Sequence, residues 1–209
     1  MKKKTRLFSF LILLLLAGQT VLAQSTIHSF RKLSRPEKSW VMLHPFVAKK
    51  AFSVTQAVLK VSAEELSDKK LDGKTDGGQV DAFRHCYWMA VLSGTVSAKK
   101  AFKLGKAHER GNYLDFKKGR TEEGILPDSV SSVMDLFNNM RGLELRRTHP
   151  KATAEEMRTL VIEQILTGKL LIIRTDERGN FLDAGHQKIN PDLWKGKWNI
   201  PKDLIPSIR

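Results

Sequence analysis

Cysteine is nearly missing from this chain. Cys86 is the only one in 209 residues, so no intramolecular disulfide can brace the fold. Its place among aromatics marks it as a small core residue rather than a nucleophile. Long apolar runs are also scarce: the longest, Leu7–Gly18, is too short to span a bilayer comfortably. Internal repeats and low-complexity linkers are missing. Acids are outnumbered by bases, 22 to 36, for a formal net charge of +14. Such a balance raises encounter rates with anionic partners such as phospholipid, lipopolysaccharide, nucleic acid or cell-wall polymer, and solubility alone accounts for it equally well. No motif for sequence-specific nucleic-acid contact accompanies the charge, and nothing in the pattern specifies an oligomer.

What is present begins with a leader. Met1-Lys2-Lys3-Lys4-Thr5-Arg6, the run Leu7–Gly18 and then Val21-Leu22-Ala23 are the charged, apolar and small-residue parts of a secretory signal peptide. Cleavage after Ala23 predicts a secreted or periplasmic protein with no transmembrane helix in the mature chain. No cysteine follows the apolar run, which argues against a lipoprotein anchor; a retained leader is the alternative. Removing residues 1–23 takes away four cations and no acid, so the mature chain stays strongly basic. Its length suits one well-buried domain. The expected division is N-terminal helices over 24–66, a core helical domain over 67–189 and a docking tail over 190–209.

Apolar periodicity predicts a mainly α domain with orthogonally packed helices. A helix opens at Pro36-Glu37 and is interrupted by Pro45, and Phe46–Val61 resumes it. Ser67–Gly78 is a turn-rich loop; Lys74 and Phe83 stand where a calcium loop needs oxygen ligands, so it reads as a plain lead-in. Asp81–Leu92 is apolar almost all round and belongs in the middle of a domain. Ser97–Arg110 follows as a helix with Gly111-Asn112 as its stop. Tyr113–Leu126 reads as a loop. From Pro127-Asp128 to about Leu145 the core face is Val130, Val133, Met134 and Phe137, with Ser131, Asp135, Asn138, Asn139 and Gly142 opposite. Two adjacent asparagines inside a helix are a local cost that needs a reason. Thr153–Glu156 resembles a capping box and Gly168 ends the helix it starts. Leu170–Arg174 and Gly179–Leu182 form a small C-terminal β-hairpin. Trp194 and Trp198, among lysines, dock the tail, with a membrane interface as the alternative.

Three helices thus present polar groups on inward or face-forming stripes. They are Asp81, Arg84 and His85; His108 and Glu109; and Asp135, Asn138 and Asn139. As acid and base, His85 takes a proton from water while Asp81 or Asp135 orients it, and His108 or Glu109 carries a second proton. As a divalent-metal site, His85, His108 and one of Glu109 or Asp135 leave a position for water. As structure alone, the same groups form a hydrogen-bonded network in which Arg84 neutralises Asp81 or Asp135. A cofactor is not required by the pattern. Lys99, Lys103 and Lys106, with Arg110, make a basic stripe that is either a solvated face or an anion-facing surface.

Gly77–Trp88, then Ala107-His108-Glu109, then Met134–Gly142 resemble a bacterial family of unknown function found in secreted and toxin-associated proteins, with the pattern D-A-x-R-H…A-H-E…M-D-x-x-N-N-x-x-G. The resemblance implies an all-helical domain and places Asp81, Arg84, His85, His108, Glu109, Asp135, Asn138 and Asn139 at the matching positions. Arg84-His85-Cys86-Tyr87 with Asp135 is more loosely similar to bacterial phospholipase A2, where a His-Asp helix pairs with an Asp on an antiparallel helix. Cys86 stands where that family has its metal-binding Asp, and no glycine-rich calcium loop precedes it. Together the sequence predicts a hydrolase acting on an anionic envelope component or lipid. Its alternatives are a non-catalytic module for anionic surfaces and a structural helical domain.

Overall fold

The computed structural model describes residues 30–121 and 125–208; the predicted leader, 1–23, lies outside them. Helices dominate: α1 Arg35–Leu43, α2 Pro45–Ser67, α3 Gln79–Val96, α4 Ala98–Phe116, α5 Ser129–Thr148, α6 Ala154–Leu166 and the short α7 Pro191–Trp194. Strands β1 Leu171–Ile173 and β2 Leu204–Pro206 pair antiparallel, with Ile172 opposite Ile205. No helix among the described residues is long and apolar enough to cross a membrane.

α3 is the axis, packed against α2, α4, α5, α6 and β1. Phe83, Cys86, Met89, Ala90 and Leu92 on it are fully buried. One apolar cluster joins it to α2, α6 and β1 through Val58, Tyr87, Met157 and Ile165. A second joins it to α1 and α4 through Trp40, Met89, Leu92 and Leu104. Burying large side chains is worth about 1.5–3 kcal/mol each, so a helix with hardly any solvated face is the element the others need.

The local signals explain the ends. Ser34 accepts from the Glu37 N–H while the Glu37 carboxylate accepts from the Ser34 N–H, a capping box that starts α1. Thr153 and Glu156 do the same for α6. Pro45 interrupts α1 by occupying the first position of α2. His44 at that corner accepts no distant role: its ring stacks on Trp40 at 4.7 Å and its Nδ1 lies 2.8 Å from the Trp40 carbonyl.

Several expectations are corrected. Gly111 does not stop α4, which runs to Phe116. A side chain at Gly111 would collide with Ser34, so the glycine serves the contact between α1 and α4. The strand at Leu171 pairs with the tail rather than with Gly179–Leu182, which keeps an isolated bridge between Thr175 and Phe181 and a bond from the Leu182 N–H to the Arg174 carbonyl. The tail is held there because the Ser207 N–H donates to the Leu170 carbonyl and Lys202 forms a buried ion pair with Asp128 at 2.7 Å. Trp198 packs its ring 5.0 Å from Tyr113 and 5.1 Å from Phe116, so it docks on α4.

The largest correction concerns α5. Its expected core residues Val133 and Phe137 are 54% and 38% exposed, and the polar stripe Asp135, Asn138, Asn139 and Gly142 turns inward with Met134. Three contacts force this. Any side chain at Gly142 would strike the Cys86 carbonyl of α3, so backbone meets backbone there. Asn138 donates to the Leu171 carbonyl at 2.9 Å and accepts from the Leu171 N–H at 3.0 Å, standing in for a strand at the edge of β1. Asp135 faces His85.

Candidate functional site

The site starts with the loop before α3. Gly77, at φ +67°, donates its N–H to Asp81 Oδ2 at 2.8 Å and accepts from the Ile173 N–H at 2.7 Å. A side chain there would press into Ile173, so glycine fits for both conformation and space. Asp72 Oδ1 accepts from the N–H groups of Lys74 and Gln79 and so ties the loop to the first residue of α3. Asp81 sits in the first turn of α3, where helix amides favour a carboxylate. One turn on, Arg84 donates to Asp81 Oδ1 at 2.6 Å.

His85 is 4% exposed, and its Nε2 lies 3.5 Å from Asp81 Oδ1 and 3.4 Å from Asp135 Oδ1. These acids come from α3 and α5. Their carboxylates, with Arg84, Asn112, Ser131, Ser132 and Thr75, line a cleft of about 40 Å³, room for a few waters. Asp81 and Asp135 thus belong to the cleft wall, and the His85 imidazole, which does not line it, stands behind them. Burial pushes the Asp135 carboxyl well above the usual carboxylate range; Asp81 and Glu109 push it further, and Arg84 and His108 only partly oppose them.

Of the residues singled out in the sequence, Asp81, Arg84, His85 and Asp135 meet directly. Glu109 is buried on α4 and His108 is half-buried, its ring centre 6.2 Å from that of His85. His108 Nδ1 lies 3.1 Å from Glu37 Oε1, so the expected metal trio of His85, His108 and Asp135 is not the one gathered. The trio whose ligand atoms lie within 4.8 Å of one another is Asp81, His85 and Asp135. Asn138 is structural, as above. The Asn139 amide is buried beside Gly105 and Met89, and among the described residues neither its oxygen nor its nitrogen has a hydrogen-bond partner. Lys99, Lys103 and Lys106 are exposed on the outside of α4.

Sequence reasoning missed Glu37. Its carboxyl is pushed up by burial, but the hydrogen bond and charge of His108 and the bonds from Ser34 outweigh this and hold it below the usual value. The Ser34-x-x-Glu37 box was a legible signal for the helix start, though not for the partner 71 residues away. Cys86 is inert: burial pushes its thiol up to about 12.

The phospholipase A2 likeness fails on direction. Asp135 meets Asp81 and His85, Gly142 meets Cys86, and Arg146 Nε donates to the Ala90 carbonyl at 2.9 Å. Contacts that advance together along both chains mean that α3 and α5 run in the same sense, not antiparallel. No curated protein and no solved structure matches the chain. A family does match, over residues 38–169, a span that holds the whole Asp81, His85 and Asp135 cluster but neither Glu37 nor the tail. The chain therefore belongs to the family described as Domain of unknown function (DUF6973).

Proposed function

We propose that this protein is a hydrolase that activates water at the Asp81, His85 and Asp135 cluster and acts on an anionic envelope component or lipid. It works outside the cytoplasm, after removal of the leader near Ala23. The single observation behind this is the convergence of two buried acids at a small cleft with an imidazole directly behind them. Buried acids that crowd one another are destabilising, and acid–base sites are where such crowding recurs. In the reaction a water in the cleft gives its proton to the cluster, His85 being the group between the acids. Arg84, held by Asp81 at the cleft wall, attracts the negative charge of the substrate and of the transition state. His108, fixed by Glu37, and Glu109 complete the electrostatic surroundings.

The test is release of soluble product from anionic phospholipid vesicles or cell-wall polymer by the purified chain. His85→Ala and Asp81→Asn are expected to lower the rate at least 100-fold with circular dichroism unchanged, in line with the loss of an acid–base group (about 10²–10⁴-fold). Equal rates in wild type and folded variants, or no release from either material, would overturn the reading.

A second reading has its own support. Met42, Leu43 and Phe46 are 72%, 77% and 94% exposed at the corner between α1 and α2, and Lys49 and Lys50 follow Phe46 at helical neighbour spacing. With Lys99, Lys103 and Lys106 they suit a non-catalytic module for anionic surfaces. That reading expects vesicle binding that weakens with salt and survives His85→Ala; salt-independent binding sinks it.

A further inference from the structure

We propose that Asp81, His85 and Asp135 bind one divalent transition-metal ion of the zinc type, with an open position facing the cleft. The inference rests on the reading of this cluster as the working centre, and it names the ion that reading lacks.

Distances carry the argument. A charge-assisted N–H···O bond is usually 2.7–2.9 Å long; the His85 Nε2 separations are 3.5 and 3.4 Å. Zinc holds nitrogen and carboxylate oxygen at about 2.0–2.2 Å in a tetrahedron, which sets neighbouring ligand atoms roughly 3.3–3.5 Å apart. Both separations match edges of that tetrahedron. The third, between the two acids, lies within 4.8 Å. Three protein ligands with a fourth position left to water is the arrangement of catalytic zinc.

A second observation points the same way. Asp135 is 7% exposed, its carboxylate lines the cleft, and among the described residues no donor reaches its Oδ1 in hydrogen-bonding geometry. A buried carboxylate oxygen aimed at an imidazole nitrogen that does not bond it well is what a ligand position looks like before the ion is counted. Around it stand the buried carboxylates Asp81, Asp135 and Glu109, with Arg84 and His108 only partly opposing them, a predominantly acidic setting that suits a cation. The surroundings hold the ligands in place: Gly77 and Arg84 fix the two oxygens of Asp81. An imidazole in the set favours zinc or its transition-metal neighbours over magnesium, which prefers oxygen alone.

The experiment uses the full chain stripped with chelator and desalted, then titrated with ZnCl₂, MnCl₂ or MgCl₂ in a calorimeter, with melting curves on the same samples. One Zn²⁺ per chain and a raised melting midpoint are expected, with Mg²⁺ at least tenfold weaker. Asp135→Asn, a variant expected to fold at least as well as wild type, abolishes both signals; His149→Gln, at the exposed C-terminal cap of α5, keeps them. No Zn²⁺ or Mn²⁺ binding to wild type, or stoichiometric binding that survives Asp135→Asn, overturns the site. The readout needs no substrate. Binding without hydrolysis therefore defeats the hydrolase reading alone, and hydrolysis indifferent to chelator defeats the metal alone.

Discussion

Asp128 and Asp135 stand two turns apart on the same side of the fold's central pair of helices, and both carboxylates are buried. Asp128 caps α5, accepting from the Val130 and Ser131 N–H groups at 2.8 and 3.1 Å, from the Ser131 hydroxyl at 3.2 Å and from Lys202 Nζ at 2.7 Å. Asp135 has an imidazole at 3.4 Å, two acids nearby and no comparable set of donors. One position is a joint that fastens the tail to α5. The other holds a buried acid, pushed well above the usual carboxylate range by burial and its acidic neighbours, where the fold alone gives little reason for one, and that contrast separates a structural acid from a working one.

The contrast predicts effects of different size and sign. Lys202→Met strands the Asp128 carboxylate in the interior and is expected to cost about 3–5 kcal/mol, read by denaturant unfolding. A loss under ~1 kcal/mol would mean that the joint does not hold the tail. Asp135→Asn is expected to do the reverse in chelated protein, raising stability by about 1–2 kcal/mol as the crowded, buried acid is removed. A destabilisation instead would place Asp135 in the same class as Asp128.

Glu37→Gln weakens the capping box and the bond to His108, at an expected cost of about 1–2 kcal/mol near neutral pH. Its carboxyl is held below the ordinary glutamate value, so the stabilisation is present above that ordinary value and is lost as pH falls through the lower folded one. The gap between wild type and variant should therefore close on acidification; a gap that widens contradicts the assigned pair. The smallest effect is at Cys86. With its thiol buried and pushed up to about 12, native protein should resist alkylation at pH 8 until it is unfolded, and rapid labelling would show α3 to be less sealed than described.

Much of the architecture was legible because it rests on local signals. The all-round apolarity of Asp81–Leu92 placed α3 at the centre, Thr153–Glu156 marked a helix start, and Trp198 docked as expected. The inward face of α5 was misread because apolar content is a guide only where side chains fill the gap between helices. Here Gly142 removes the gap, and Asn138 and Asp135 find polar partners from β1 and α3, so the polar stripe is the buried one. The same cause hid the partner of β1: strand pairing across Leu171 and Pro206 is a long-range choice, and the nearer Gly179–Leu182 looked sufficient. His85 and Asp135 were singled out from their placement on buried stripes, but the replacement of His108 by Asp81 in the cluster depended on a bond to Glu37 that no spacing encodes.

The most direct measurement is activity and melting temperature together for wild type and Asp135→Asn, prepared in parallel. A working centre predicts that the variant melts no lower than chelated wild type and has lost hydrolysis by at least 100-fold. A variant that melts lower and hydrolyses at the wild-type rate would show Asp135 to be one more strut.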